Sequence, residues 1–201
     1  DMGQGTDTAM GLIAAGELAL PLEAVSVVSG DTNLTPDTGA SSGSRVIYTD
    51  GNAVMEAAVR LREAILSTAS GLMDISYESL ELRDARVVPR KETGISGPTV
   101  SLADVARARQ SAGLPLRFKG NFHPIPMRDS LSGAPSPYLV YVSATHMAEV
   151  EVDMEQGAVR VLRVVAAHDV GRVIYAQGLK GQIEVAVSMG MGFALKEEFH
   201  P

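Results

Sequence analysis

With 201 residues, 45% of them hydrophobic and 20% charged, the chain has enough apolar content for a real core and too little charge for a disordered one. A formal net charge of −7 argues against non-specific nucleic-acid binding, which needs a basic face. With no cysteine, the chain itself can hold no disulfide, thiolate nucleophile, zinc–thiolate site or iron–sulfur cluster.

No apolar run reaches membrane-spanning length and no signal peptide is visible, so a cytoplasmic setting is the default. The length suits one large or two small domains. The chain starts at Asp1 inside what reads as a motif, so a segment of a longer protein is expected.

Gly3-Gln4-Gly5 is a tight turn feeding a helix: Met10, Ile13, Ala14 and Leu18 recur at helical spacing, and Thr6, Asp7 and Thr8 are N-cap candidates. Such a turn exposes backbone N–H groups at the positive end of a helix dipole, a place for a phosphate. After Pro21, Ala24–Val28 reads as a strand ending in the Gly30–Asn33 turn. Thr35–Arg45 is a loop of small polar residues that would let a ligand approach the backbone, with Arg45 available to a phosphate.

Gly51 to about Ser70 reads as the clearest helix: Ala53, Val54, Ala57, Leu61, Ile65 and Leu66 form its buried face, and Arg60, Arg62 and Glu63 read as solvated charges. Tyr77–Leu82 reads as a strand, with Arg86–Val88 as its hairpin partner, and a helix runs from Ser101 to about Ala112 before Gly113. His123 lies in a proline-rich stretch and reads as a loop histidine. Tyr138–Val142 and Met147–Val152 read as strands. Val159–Ala166 returns as the second arm of a hairpin about the Asp153–Gly157 turn. After the Ala167–Arg172 turn, Gly181-Gln182 reads as a second Gly-Gln helix start, followed by Ile183, Ala186, Val187, Met189, Met191 and Ala194.

Catalytic sets are thin. His168 and Asp169 are sequence neighbours, which does not place them as base and orienter. His146 lies in a strand, and Glu149, Glu151 and Asp153 read as surface carboxylates on one strand face. There is no Walker or Rossmann glycine pattern. The remaining groups — backbone amides, glutamine amides, hydroxyls and one arginine — hold a polyanionic cofactor rather than perform chemistry themselves.

The opening Asp-Met-Gly-Gln-Gly, the Ala40–Arg45 loop, the Glu149–Asp153 hairpin with Val159-Arg-Val161, the Ala167–Gly171 turn and Gly181-Gln-Ile-Glu184 follow one another in the order seen in the xanthine dehydrogenase/aldehyde oxidase family. The chain resembles that family's molybdopterin-binding region over nearly its whole length. The two ends of the chain each combine a strand, an Asp/Gly turn and a Gly-Gln helix entry, so an α+β fold is expected, two related layered halves with mixed sheets and helices packed on one face, facing one cleft. Residues 1–90 would form the first half, 91–137 a connecting insertion and 138–201 the second half. The resemblance implies a molybdopterin dinucleotide whose own dithiolene holds the molybdenum, so no metal ligand is expected from the chain. Gly3, Gln4, Gly5 and Thr6 would contact the cofactor's phosphates and pterin. Ser42, Gly43, Ser44 and Arg45 would contact its pyrophosphate or pterin side, and Gln182 the pterin edge.

The family hydroxylates purines, aldehydes or N-heterocycles with water as oxygen source. Its implied partners are the other domains of the molybdenum subunit, iron–sulfur and FAD subunits or domains, and a small-molecule substrate, with no nucleic acid or membrane. Its glutamate base lies in a Gly-Glu motif farther along than Pro201, so no catalytic residue is expected here and the piece alone would be inactive. The chain departs from the family pattern at Val185-Ala186, where Gly-Gly is common, and at Tyr175-Ala176, where Asn-Pro is usual. The alternatives are a non-catalytic binding or assembly module with this fold and no cofactor, and a stand-alone binder of phosphorylated ligands.

Overall fold

Two helices running in the same direction organise the N-terminal part of the molecule. Helix α1 spans Thr6–Glu17 and α2 spans Arg45–Met73 in the structure, a computed structural model that describes residues 1–124, 133 and 141–198. Ala9, Gly11, Ile13 and Ala15 form the buried stripe of α1. A Cβ placed on Gly51 of α2 would lie 3.0 Å from Ile13 Cδ1, so the helices approach closely there. Farther along, Arg62 of α2 forms an ion pair with Glu17 of α1 at 2.9 Å. Both helices advance from the first contact to the second, so both N-termini open at the same end of the pair.

The described residues fall into two units, 1–124 and 125–201. In the first, β1 (Leu80–Arg83), β2 (Arg86–Pro89) and β3 (Val100–Ser101) form an antiparallel sheet in that order. Asp84 and Ala85, both with positive φ, make the two-residue β1–β2 turn, whose twist matches that of its strands. Leu80, Val87 and Val105 are fully buried against Ala69 and Met73 of α2, each contributing roughly 1.5–3 kcal/mol of burial. Val105 belongs to α3 (Leu102–Ser111), whose N-cap Ser101 accepts a hydrogen bond from the Asp104 amide.

Several expectations change. Ala24–Val28 is not a strand: Leu22–Ala24 form a 3-10 turn, and the extended residues after it pair with no strand among the described residues. Their apolar side chains instead meet α1, since a Cβ on Gly11 would touch Leu22 and Val27. Helix α2 begins six residues before Gly51. Tyr77–Ser79 are a 3-10 turn, so the strand expected from Tyr77 starts at Leu80. Arg60 and Arg62 are not merely solvated: Arg62 ties α2 to α1, and Arg60 NH1 donates to the Lys119 carbonyl at 3.0 Å.

The second unit is a hairpin and a helix. Strands β4 (Ser143–Asp153) and β5 (Ala158–Asp169) pair antiparallel throughout. Both sheets are antiparallel where mixed pairing was expected, because each pairs consecutive strands and no parallel crossover occurs among the described residues. A bulge at Glu149/Val150 leaves Leu162 as the extra residue on β5. One face carries Glu151 paired with Arg160 (2.9 Å) and Glu149 with Arg163 (3.3 Å), the surface carboxylates read from the sequence. Val150, Val161 and Val164 face α4 (Ala176–Leu195) across an apolar groove of about 360 Å³. Residues 138–140 of the strand expected at Tyr138–Val142 lie outside the described residues, and Tyr141 and Val142 precede β4.

Candidate functional site

The mouth of α1 is folded on itself. Gly3 (φ 103°) and Gly5 (φ 85°) adopt backbone angles that favour glycine. The Gln4 side chain closes the turn: Met2 N donates to its Oε1 at 2.7 Å, and its Nε2 donates to Thr6 Oγ1 at 2.8 Å. Asp1 then covers the helix end. Its carboxylate accepts from Gly3 N (2.7 Å) and from Asp7 N (3.0 Å), placing negative charge where the dipole favours it. Sequence reasoning missed this role; an aspartate six residues ahead of the first-turn Asp7 was its only signal.

The mouth of α2 is open. Gly43 (φ 56°) and Ser44 (φ 57°) are successive left-handed residues at the centre of a tight turn that the Arg45 amide closes on the Ser42 carbonyl at 3.1 Å, leading straight into the helix. Ser44 is the N-cap, yet its side chain caps nothing; with the Arg45 amide taken by the Ser42 carbonyl, the amides of Val46 and Ile47 are the ones left available in the first turn. Ser42, Gly43 and Ser44 are exposed. Arg45 reaches back along the loop: its two terminal nitrogens donate to the carbonyls of Ala40 (2.8 Å) and Thr38 (2.9 Å). The guanidinium braces the very loop that supplies the serines.

Gln182 is not at a helix start. Helix α4 begins at Ala176 with Tyr175 as N-cap, so Gly181 and Gln182 lie in its second turn, where backbone amides are spent on intrahelical bonds. The Tyr175 ring packs against Gly178, where an added Cβ would lie 2.3 Å from it. His168 does not engage Asp169, whose Oδ1 accepts from Gly171 N at 3.1 Å; its Nε2 lies 2.7 Å from that of His146. His123 is exposed. No cluster of three or more metal-ligating side chains occurs among the described residues, and none of the described helices is long and apolar enough to cross a membrane.

The donor set thus suits a phosphate-bearing group at α2, with α1 opening at the same end of the pair. The family model of the molybdopterin cofactor-binding domain matches residues 1–201. The chain belongs to this family. It is 31% identical over 199 residues to the gamma subunit of the 6-hydroxypseudooxynicotine dehydrogenase complex of Paenarthrobacter nicotinovorans, covering 98% of this chain and 24% of that protein. To the aldehyde oxidoreductase molybdenum-binding subunit PaoC of Escherichia coli (strain K12) it is 30% identical over 198 residues, covering 98% and 24%. Among solved structures, aldehyde oxidoreductase from Desulfovibrio gigas superposes with a TM-score of 0.73 at 25% identity, covering 99% of this chain and 19% of that one. Reconstituted CO dehydrogenase from Oligotropha carboxidovorans gives 0.80 at 21% identity over 100% and 24%, a likeness of fold. The chain spans about a quarter of the length of the curated relatives it matches. The α+β fold and the molybdenum-hydroxylase kinship expected from the motifs both stand.

Proposed function

We propose that this chain forms part of the molybdopterin-dinucleotide site of a molybdenum hydroxylase acting on a purine, aldehyde or N-heterocycle. The reading rests on the uncapped left-handed start of α2. Ser42, Gly43, Ser44 and the first-turn amides would hold a phosphate of the cofactor. Arg45 would fix that loop and add positive charge. Gly3, Gln4, Gly5 and Thr6 would contribute from the α1 mouth. When bound, the cofactor supplies the molybdenum that hydroxylates an electrophilic carbon with water as oxygen source and passes electrons to iron–sulfur and flavin partners. The chain's own residues bind and orient; none is assigned a proton-transfer role.

A cofactor-free binding module is the second reading. It is favoured by Asp1, whose carboxylate already fills the anion place on α1.

Metal analysis and mass spectrometry of the native protein, purified with its partners, separate the two. The first reading expects stoichiometric molybdenum and a pterin dinucleotide, and a loss of at least tenfold in loading for Ser44→Asp, which sets a carboxylate at the α2 mouth. A metal-free, pterin-free native protein, or unchanged loading in Ser44→Asp, overturns it.

A further inference from the structure

The β4–β5 bulge carries a second site. Counted back from the turn, an unbroken ladder would place His146 and His168 on opposite faces of the hairpin, because side chains alternate with period two. The extra residue Leu162 shifts the phase, so that His146 pairs with Ala166 and Ala144 with His168. Both imidazoles then lie on one face as diagonal neighbours. Their Nε2 atoms are 2.7 Å apart and their rings, at 67° to each other, have centroids 4.8 Å apart. Both residues are exposed, so water reaches the pair.

The geometry points to a two-imidazole clamp for one divalent transition-metal cation of tetragonal preference, Cu²⁺ or Ni²⁺. This clamp is separate from the cofactor reading and does not depend on it. The contact as it stands needs one Nε2–H and one Nε2 lone pair. Moving that hydrogen to Nδ1 of its own ring frees both lone pairs without changing the charge of either imidazole. With metal–nitrogen bonds of about 2.0 Å, two ligands at a right angle stand about 2.8–2.9 Å apart, and two at a tetrahedral angle about 3.3–3.4 Å. From 2.7 Å the first needs an opening of 0.1–0.2 Å plus a tilt of the rings, roughly, and the second about four times that opening. Strands paired on both sides of the histidines resist the larger change. Water completes the remaining positions, so the bound cation is exchangeable rather than structural.

The test is calorimetric titration of the chain with CuCl₂ or NiCl₂, and with ZnCl₂, in a non-coordinating buffer. One Cu²⁺ or Ni²⁺ per chain is expected, with Zn²⁺ weaker. His146→Ala and His168→Ala should each weaken Ni²⁺ binding by at least tenfold, since either one destroys the chelate. His123→Ala and His200→Ala should change it less than twofold. Far-UV circular dichroism checks that the variants keep their fold. The paramagnetic resonance spectrum of the Cu²⁺ complex should show two equatorial nitrogens, reduced to one in either single variant. Equal Ni²⁺ affinity in the wild type and His168→Ala, tighter binding of Zn²⁺ than of Cu²⁺, or a Cu²⁺ spectrum without two nitrogens overturns the assignment.

Discussion

Replacing Arg45 tests whether the serine loop is held in shape from within. Its guanidinium donates to two carbonyls, Thr38 and Ala40, at 2.9 and 2.8 Å. Hydrogen bonds from a charged donor contribute about 1.5–3 kcal/mol each, and partial exposure of the arginine puts these at or below the lower end. About 2 kcal/mol in all is a reasonable sum, a factor of about 30 between ordered and open loop. Arg45→Ala should therefore speed hydrogen exchange of the residue-45 amide, which donates to the Ser42 carbonyl at 3.1 Å and closes the loop, by roughly 30-fold, while exchange around Ile65 and Leu66, in the core, stays unchanged. Arg45→Lys separates bracing from charge: a single ammonium cannot fork to both carbonyls, so most of the acceleration should remain. Exchange in Arg45→Ala within about threefold of wild type would refute the brace.

Arg109, only 7% exposed, donates twice to the Pro115 carbonyl and once each to Ala64 O and Thr68 Oγ1, with its cation 5.7 Å from the centre of the Phe118 ring. Arg109→Met orphans the Pro115 carbonyl and should cost about 3 kcal/mol in urea unfolding; a cost under about 0.5 kcal/mol would show that the charge contributes nothing net. A Cβ on Gly120 would lie 1.8 Å from the Ala53 carbonyl oxygen of α2. Gly120→Ala should thus lose about 3 kcal/mol and lift the 119–121 segment from the helix, read as loss of exchange protection at Asn121, whose amide donates to Glu56. Asp104 is held below its ordinary carboxylate range, first by the Ser101 hydroxyl that donates to it at 2.6 Å and then by Arg107. A depressed folded value means stability that is present above the unfolded pKa of about 3.9 and is lost as pH falls through the folded value. Ser101→Ala should cost about 1 kcal/mol at pH 7, and the gap to wild type should narrow below pH 4; a gap that stays constant to pH 2 would contradict this.

Helices α1 and α3 and both hairpins were legible because their signals are local: a capping serine, a short turn, an apolar stripe. Other features depended on information a single strand of text does not hold. The start of α2 was hidden by Val46, Ile47 and Thr49, β-branched residues with low helix propensity that the packing against α1 overrides. Val25–Val28 looked like a strand, yet a strand is defined by a neighbour and none pairs with it among the described residues. Gly181 was read as punctuation, but α4 also holds Gly178, Gly190 and Gly192, so glycine there does not mark an end. Of the candidate site, the loop chemistry at Ser42–Arg45 was visible. Asp1 as a lid and the meeting of His146 with His168 were not; the second depends on one bulged residue that shifts the whole register.

Helix α2 is 29 residues long, about 43 Å from end to end. Its N-terminal tip at Arg45 stands about 30 Å from Ile65, within the packed cluster that also takes in Leu66, Ala69 and Met73. Such a rod is held at both ends: Gly51, six residues from the tip, lies against Ile13 of α1, and the Tyr48 ring meets Phe122 edge-on at 5.3 Å. A group held at the tip would therefore sit on a packed helix pair, one long lever away from the cluster at the far end.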